Sequence, residues 1–260
     1  MDFKNVNLLN SRVNMLSGNL LPIAADNSRF SIIWRIHSAF VWLIELIHAI
    51  AFIFGLIVTP IEKSLKDGTV CAAILVEASF MLTSLYSHKK LMDEMVQKMN
   101  GILQSADEIM NDVVKLAIKP IIMPFTMYAI ITALSITIWT IQPITLIFEK
   151  STFFYTDYNL PAAFSIEPFS SRVLILSTIF MTIGSVYLFL KKFGVDLYMI
   201  HLVLMLTAQY RYTAVKLTIL FRDLQNYHEK SQNEHPIKDR WTERELRKLC
   251  LHQNTVLKQV

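Results

Sequence analysis

The chain reads as an all-α membrane protein: a polytopic bundle of four spans, with its N-terminus in the cytoplasm and its fourth helix extended into the cytosol. Three observations predict this. Hydrophobic residues make up 53% of the 260, and mean hydropathy is +0.40, too apolar for an ordinary soluble domain. Four long runs are nearly free of charge, each long enough to cross a hydrocarbon core of ~30 Å. The basic residues divide unevenly between the loops that join those runs, which fixes an orientation.

Residues 1–30 are mixed and polar, with Lys4, Arg12 and Arg29, and form a cytoplasmic segment that lies on a surface or folds into a short helix. They lack a basic start followed by an apolar core, so no cleavable signal is expected. The first span runs from about Ile32 to Thr59, interrupted by Glu45 and closed by Pro60. Asp67-Gly68 is a turn signal, and the second span follows from Thr69 to about His88, broken only by Glu77. Residues 89–119 are charged but keep helical spacing. They read as two amphipathic pieces with a weak point at Asn100-Gly101. The third span carries no charge between Lys119 and Glu149, and Pro120, Pro124 and Pro143 fall near its ends, where proline is least disruptive.

Residues 149–171 form an outer loop rich in aromatics and proline. The fourth span opens with eighteen uncharged residues after Arg172, is interrupted by Lys191-Lys192, and continues with fourteen more between Asp196 and Arg211. No proline occurs from Arg172 to Leu224, and only Gly184 and Gly194 weaken the helix. Such a helix reaches roughly 75–80 Å at ~1.5 Å per residue, far beyond a bilayer core. It is therefore one long helix, or two segments hinged near Gly194, leaving the membrane at the two lysines. Residues 31–224 thus make the bundle and its cytoplasmic extension. Residues 225–260 are a cytoplasmic linker and the start of a last helix, with Thr242 and Glu245 at capping-box spacing.

Only Lys63, Lys66, Lys150 and Arg172 of the 25 basic residues fall outside in this topology, so both termini lie in the cytoplasm. The net charge of +4 is spread around apolar spans, which argues against nucleic acid and for a lipid bilayer as partner. Cys71 and Cys250 fall on opposite sides and cannot pair. The seven histidines form no ligand spacing beyond Cys250 beside His252, and no phosphate loop or nucleophile elbow occurs. Neither a cofactor nor an enzymatic activity is expected.

Polar groups inside spans carry the functional expectations. Glu45 has His48 on the same helix face and is expected to be satisfied within the bundle, while Glu77 is expected nearer the outer half. Lys89-Lys90 and Lys191-Lys192 read as interface anchors. Thr132, Ser135 and Trp139 share one face of the third span, which suits either helix packing or an apolar pocket with one or two hydrogen bonds.

Three stretches resemble insect odorant receptors: the outer loop DYNLPAAFSIEPF, the continuation MIHLVLMLTAQYRYTAVKLTILFRDL, and ELRKLCLHQNTVL with His252. The N-in orientation and the prolonged fourth helix are similar too. That family has seven spans, and the resemblance stops at the approach to the fifth, so it implies the N-terminal portion of a receptor without the pore span, non-conducting alone. It further implies a plasma-membrane, multi-pass subunit of a ligand-gated cation channel. Such a subunit binds a small volatile odorant and assembles with a co-receptor in a hetero-tetramer. The implied odorant pocket has walls at Ala73, Glu77, Phe80 and Met81 of the second span. Thr132, Ser135 and Trp139 come from the third, and Ser177, Phe180, Met181 and Gly184 from the fourth. A gustatory receptor is the near alternative. A four-span scaffold or accessory protein without ligand is the alternative of another class.

Overall fold

The computed structural model describes residues 2–23, 31–228 and 235–257. Eight α-helices follow in chain order: α1 (Phe3–Val6), α2 (Leu8–Leu16), α3 (Ile32–Val58), α4 (Ile61–Ser87), α5 (Lys89–Gln104), α6 (Glu108–Ile141), α7 (Ser171–His228) and α8 (His235–Leu257). A 3-10 turn over Gln142–Phe148 and a two-residue antiparallel ribbon, β1 (Thr152–Phe153) with β2 (Phe169–Ser170), organise the outer loop. The described chain is all-α apart from that ribbon. Four of its helices, α3, α4, α6 and α7, are long and apolar enough to cross a membrane.

Each span buries one stripe and leaves the rest uncovered. On α3 the buried stripe is Val41, Ile44, Glu45, His48, Ala51, Phe52 and Gly55, at spacings of three and four. Its remaining surface is Ile, Leu and Phe, the composition that suits lipid. On α4 the stripe is Ser64, Gly68, Ala78, Leu82 and Leu85, bridged by half-buried Cys71 and Leu75. No residue in the most apolar window of α6 is buried. That helix leans on α7 through Phe125, Ala129, Ala133 and Ile136, which pack against Phe189 and Phe193.

Three element boundaries differ from the sequence reading, each for a local reason. Asp67-Gly68 lies inside α4, not in a turn. Lys63 bonds Asp67 one turn on at 2.9 Å, and Gly68 lets α4 close on α3, since a Cβ there would stand 2.6 Å from Leu56. α4 therefore starts eight residues early, and only Thr59 and Pro60 join it to α3. Pro120 and Pro124 sit within α6 because that helix begins at Glu108, where the Asp107 carboxylate accepts the Met110 N–H at 3.0 Å. The break between α5 and α6 falls after Gln104, since Asn100 is buried and accepts the Phe3 N–H at 2.7 Å. Likewise α8 starts at His235, ahead of Thr242, so the expected linker shrinks to residues outside those described.

α7 is continuous through Gly184 and Gly194, with 58 residues and no hinge. Both glycines are contact points. A Cβ at Gly194 would approach Asn19, Ser17 and Val13, and one at Gly184 would press on the His48 ring. The N-terminal segment is thus not laid on a surface. It covers the extended half of α7. Phe3 stacks on His201 with ring centroids 4.1 Å apart, and Asn10 Nδ2 lies 2.9 Å from His201 Nδ1. His201 and Met205 are fully buried there, while Leu204 and Thr207 stay half-buried.

Tight glycine packing gives the first test. Gly55→Ala places a methyl on the Pro161–Ala162 backbone and is expected to destabilise the folded chain by about 1–3 kcal/mol. Gly101→Ala, in open space on α5, should be neutral or stabilising by roughly 0.5–1 kcal/mol. Thermal melts of the two purified variants compare them directly.

Candidate functional site

Two polar arrangements and one cavity stand out among the described residues. The first arrangement crosses the bundle where α3 and α4 meet α7. Lys191 is 1% exposed and Glu45 is 7% exposed, and the two form an ion pair. The Lys191 ammonium also lies 3.2 Å from the centroid of the Trp42 ring. Lys191 is therefore no interface anchor. Its phase on α7 turns it inward onto Glu45, while Lys192 turns toward Asp196 at 2.5 Å and Glu77 at 3.4 Å. Glu77 accordingly stands level with Lys192 on α7. The early start of α4 carries it two turns further along than a span beginning at Thr69 allows.

The second arrangement is His48 with Ser185. His48 Nε2 lies 3.2 Å from Ser185 Oγ, both groups being buried. Gly184 makes this approach possible. Glu45 and His48 share a face of α3, as their spacing implies, but each finds its partner on α7.

The cavity of about 300 Å³ lies between α4, α6 and α7. Val70, Cys71 and Ile74 line it from α4, Ile136, Trp139 and Thr140 from α6, and Ser185, Leu188 and Phe189 from α7. Leu160 of the loop between α6 and α7, with Lys66 and Asp67 of α4, completes the lining. Its walls are apolar apart from the hydroxyls of Thr140 and Ser185 and the Cys71 thiol. Thr140 already donates to the Ile136 carbonyl at 2.7 Å, leaving its oxygen as an acceptor. Such a chamber suits a small neutral molecule with one hydrogen-bonding group.

The structure divides the residues expected to form one pocket. Trp139, 40% exposed, lines the cavity. Ala73, Glu77 and Phe80 line an open groove on another face of α4. Thr69, Ala72 and Val76 complete that groove, which shares none of its lining residues with the cavity. Met81 is half-buried against the core cluster formed around Phe3, Leu82 and Tyr198. Thr132 is half-buried and Ser135 exposed on α6. Ser177 and Met181 are buried under the outer loop, where Ser177 meets the Tyr158 hydroxyl. Burial pushes the Tyr158 phenol up to about 12, which keeps it neutral as a hydrogen-bonding group. Phe180 meets Phe164 edge-on at 5.6 Å, and Gly184 receives His48. Ser185, Cys71 and Leu160 are cavity residues that sequence reasoning missed. Ser185 is legible only as a polar residue in an apolar run, beside a glycine.

No cluster of three or more His, Cys, Asp or Glu side chains able to hold a metal occurs among the described residues. No family model, curated protein or solved structure matches the chain.

The buried pair generates the second test. Lys191→Met strands Glu45 and is expected to cost about 3–5 kcal/mol of stability, while the double variant with Glu45→Leu should recover most of it. Equal losses in single and double variants, read by thermal melts, would show that the two groups do not interact.

Proposed function

We propose that the chain is the ligand-sensing part of a membrane receptor for small apolar molecules. Specifically, it is an odorant-receptor subunit of a ligand-gated cation channel that works with a co-receptor at the plasma membrane. The single observation that carries this reading is the cavity among α4, α6 and α7. Its aliphatic and aromatic walls gain by covering apolar ligand surface, at ~25 cal/mol per Å². Ser185, oriented by His48, supplies the polar contact that sets a ligand's direction in the chamber. Neutral alcohols, ketones and esters fit that chemistry. Charged ligands do not, since the chamber's interior offers no counter-charge and ion burial is expensive.

The uncovered α6 favours a second reading, a four-span scaffold that docks another membrane helix on that surface. Ligand binding separates the two. In nanodiscs, a panel of volatile alcohols, ketones and esters is screened for raised melting temperature. At least one compound should stabilise the chain, by about 2.7 kcal/mol at 100-fold over its Kd. Trp139→Ala should abolish that shift, and Phe80→Ala, 76% exposed outside the cavity, should leave it intact. If no compound stabilises the chain, or both substitutions act alike, the receptor reading fails.

A further inference from the structure

We infer that the cavity takes ligands that are already dissolved in the bilayer, through the gap between α4 and α6, because residues 158–164 close it toward the outer aqueous phase. The inference rests on the reading of the cavity as a ligand site in a membrane-spanning bundle.

The closing segment is held inside the helices. Ala163 donates its N–H to the Ala51 carbonyl at 3.1 Å, and Ala51 lies seven residues short of the end of α3. That is about 10 Å below the helix end at ~1.5 Å per residue. Ala162 is fully buried and sits where only a glycine, Gly55, lets the chain pass. On the other side, Asn159 Nδ2 donates to the Trp139 carbonyl at 2.6 Å and to Gln142 Oε1 at 3.0 Å. Tyr158 is anchored to Ser177 below it. The segment is thus tied to α3, α6 and α7 together, and its buried Leu160 lines the cavity.

The lateral side is different. α4 and α6 each pack on α7 and make little direct contact with one another. Val70 and Trp139 line the cavity and are still 69% and 40% exposed, so the chamber opens where these two apolar side chains face outward. Lys66, exposed at the rim, has an aliphatic stem long enough to keep its ammonium among headgroups while the gap below stays apolar. A ligand that uses this route is neutral and partitions into lipid.

Cys71 lines the cavity and provides the test without any ligand. With Cys250→Ser as background, Cys71 is the only thiol. Intact cells are treated from outside with an apolar methanethiosulfonate and with a permanently cationic, membrane-impermeant one of similar size. The apolar reagent should label Cys71 at least about ten-fold faster, because the charged one must be desolvated to enter. In a matching chain with Cys71→Ser and Cys250→Ser, Phe154→Cys on the exposed loop should react with both reagents alike. Tyr158→Phe with Asn159→Ala, which frees the closing segment, should raise the charged reagent's rate at Cys71. Equal rates in the unmodified loop overturn the route, and so does labelling by neither reagent, which would mean that a protein helix covers the gap. A failed compound screen with lateral labelling intact would instead sink the receptor reading and leave the route standing.

Discussion

The structure depends on α7 being one unbroken helix. It has 58 residues, and α2, α3, α4, α6, α8 and the outer ribbon all pack directly against it. No proline interrupts it, and its two glycines serve neighbours that press close. A helix this long, about 87 Å at ~1.5 Å per residue, cannot lie within a bilayer core. So its N-terminal part packs with the long apolar helices, and its C-terminal part with a separate core that includes α1 and α5. The two environments meet at Lys191-Lys192. One lysine is buried on Glu45 and Trp42, and the other bridges Asp196 and Glu77. Glu45 of α3 and Glu77 of α4 thereby each find a cation on the same short stretch of α7, which sets the height of both helices against it.

At one end of the bundle the polar N-terminal segment does the covering. Asn14 accepts the Leu21 N–H at 3.0 Å and donates to the Leu21 carbonyl at 2.9 Å, folding the segment on itself. Ser38 donates to the Gly18 carbonyl at 2.6 Å, and His37 lies 3.1 Å from the Leu16 carbonyl, tying the segment to α3. At the other end the covering falls to the loop between α6 and α7. Ala162 enters through a gap left by Gly55, and Tyr158 through its contact with Ser177. Between these two covers lies the cavity, whose shape follows from two helices, α4 and α6, that share α7 but hardly touch one another.

Much of the architecture was legible because long uncharged runs have one cheap solution, a helix. The four spans and the extended fourth helix follow from that alone. Facing was not legible on α4. Its exposed and buried sides are both largely apolar, so hydrophobic periodicity loses its contrast. The buried stripe is marked instead by small residues, Ser64, Gly68 and Ala78, which a search for polar groups passes over. Turn propensity misled at Asp67-Gly68 and Asn100-Gly101. At the first, an ion pair one turn back and a close helix contact outweigh it. At the second, a buried asparagine bonded across the fold does. The burial of much of residues 3–23 was invisible, since asparagines 10, 14 and 19 look like solvent residues until Asn10 and Asn19 are matched to groups on α7 and Asn14 to the Leu21 backbone.

The continuity of α7 across the membrane boundary is tested most directly by a distance along it. Spin labels at Arg172→Cys and Tyr210→Cys, in a chain with Cys71→Ser and Cys250→Ser, stand 38 residues apart on exposed positions. An unbroken helix places their backbones about 57 Å apart at ~1.5 Å per residue, with a single narrow distribution in lipid. A separation shorter than about 45 Å, or two populations, would mean that the helix breaks near Gly194 and that the membrane and cytosolic parts are not one rigid element.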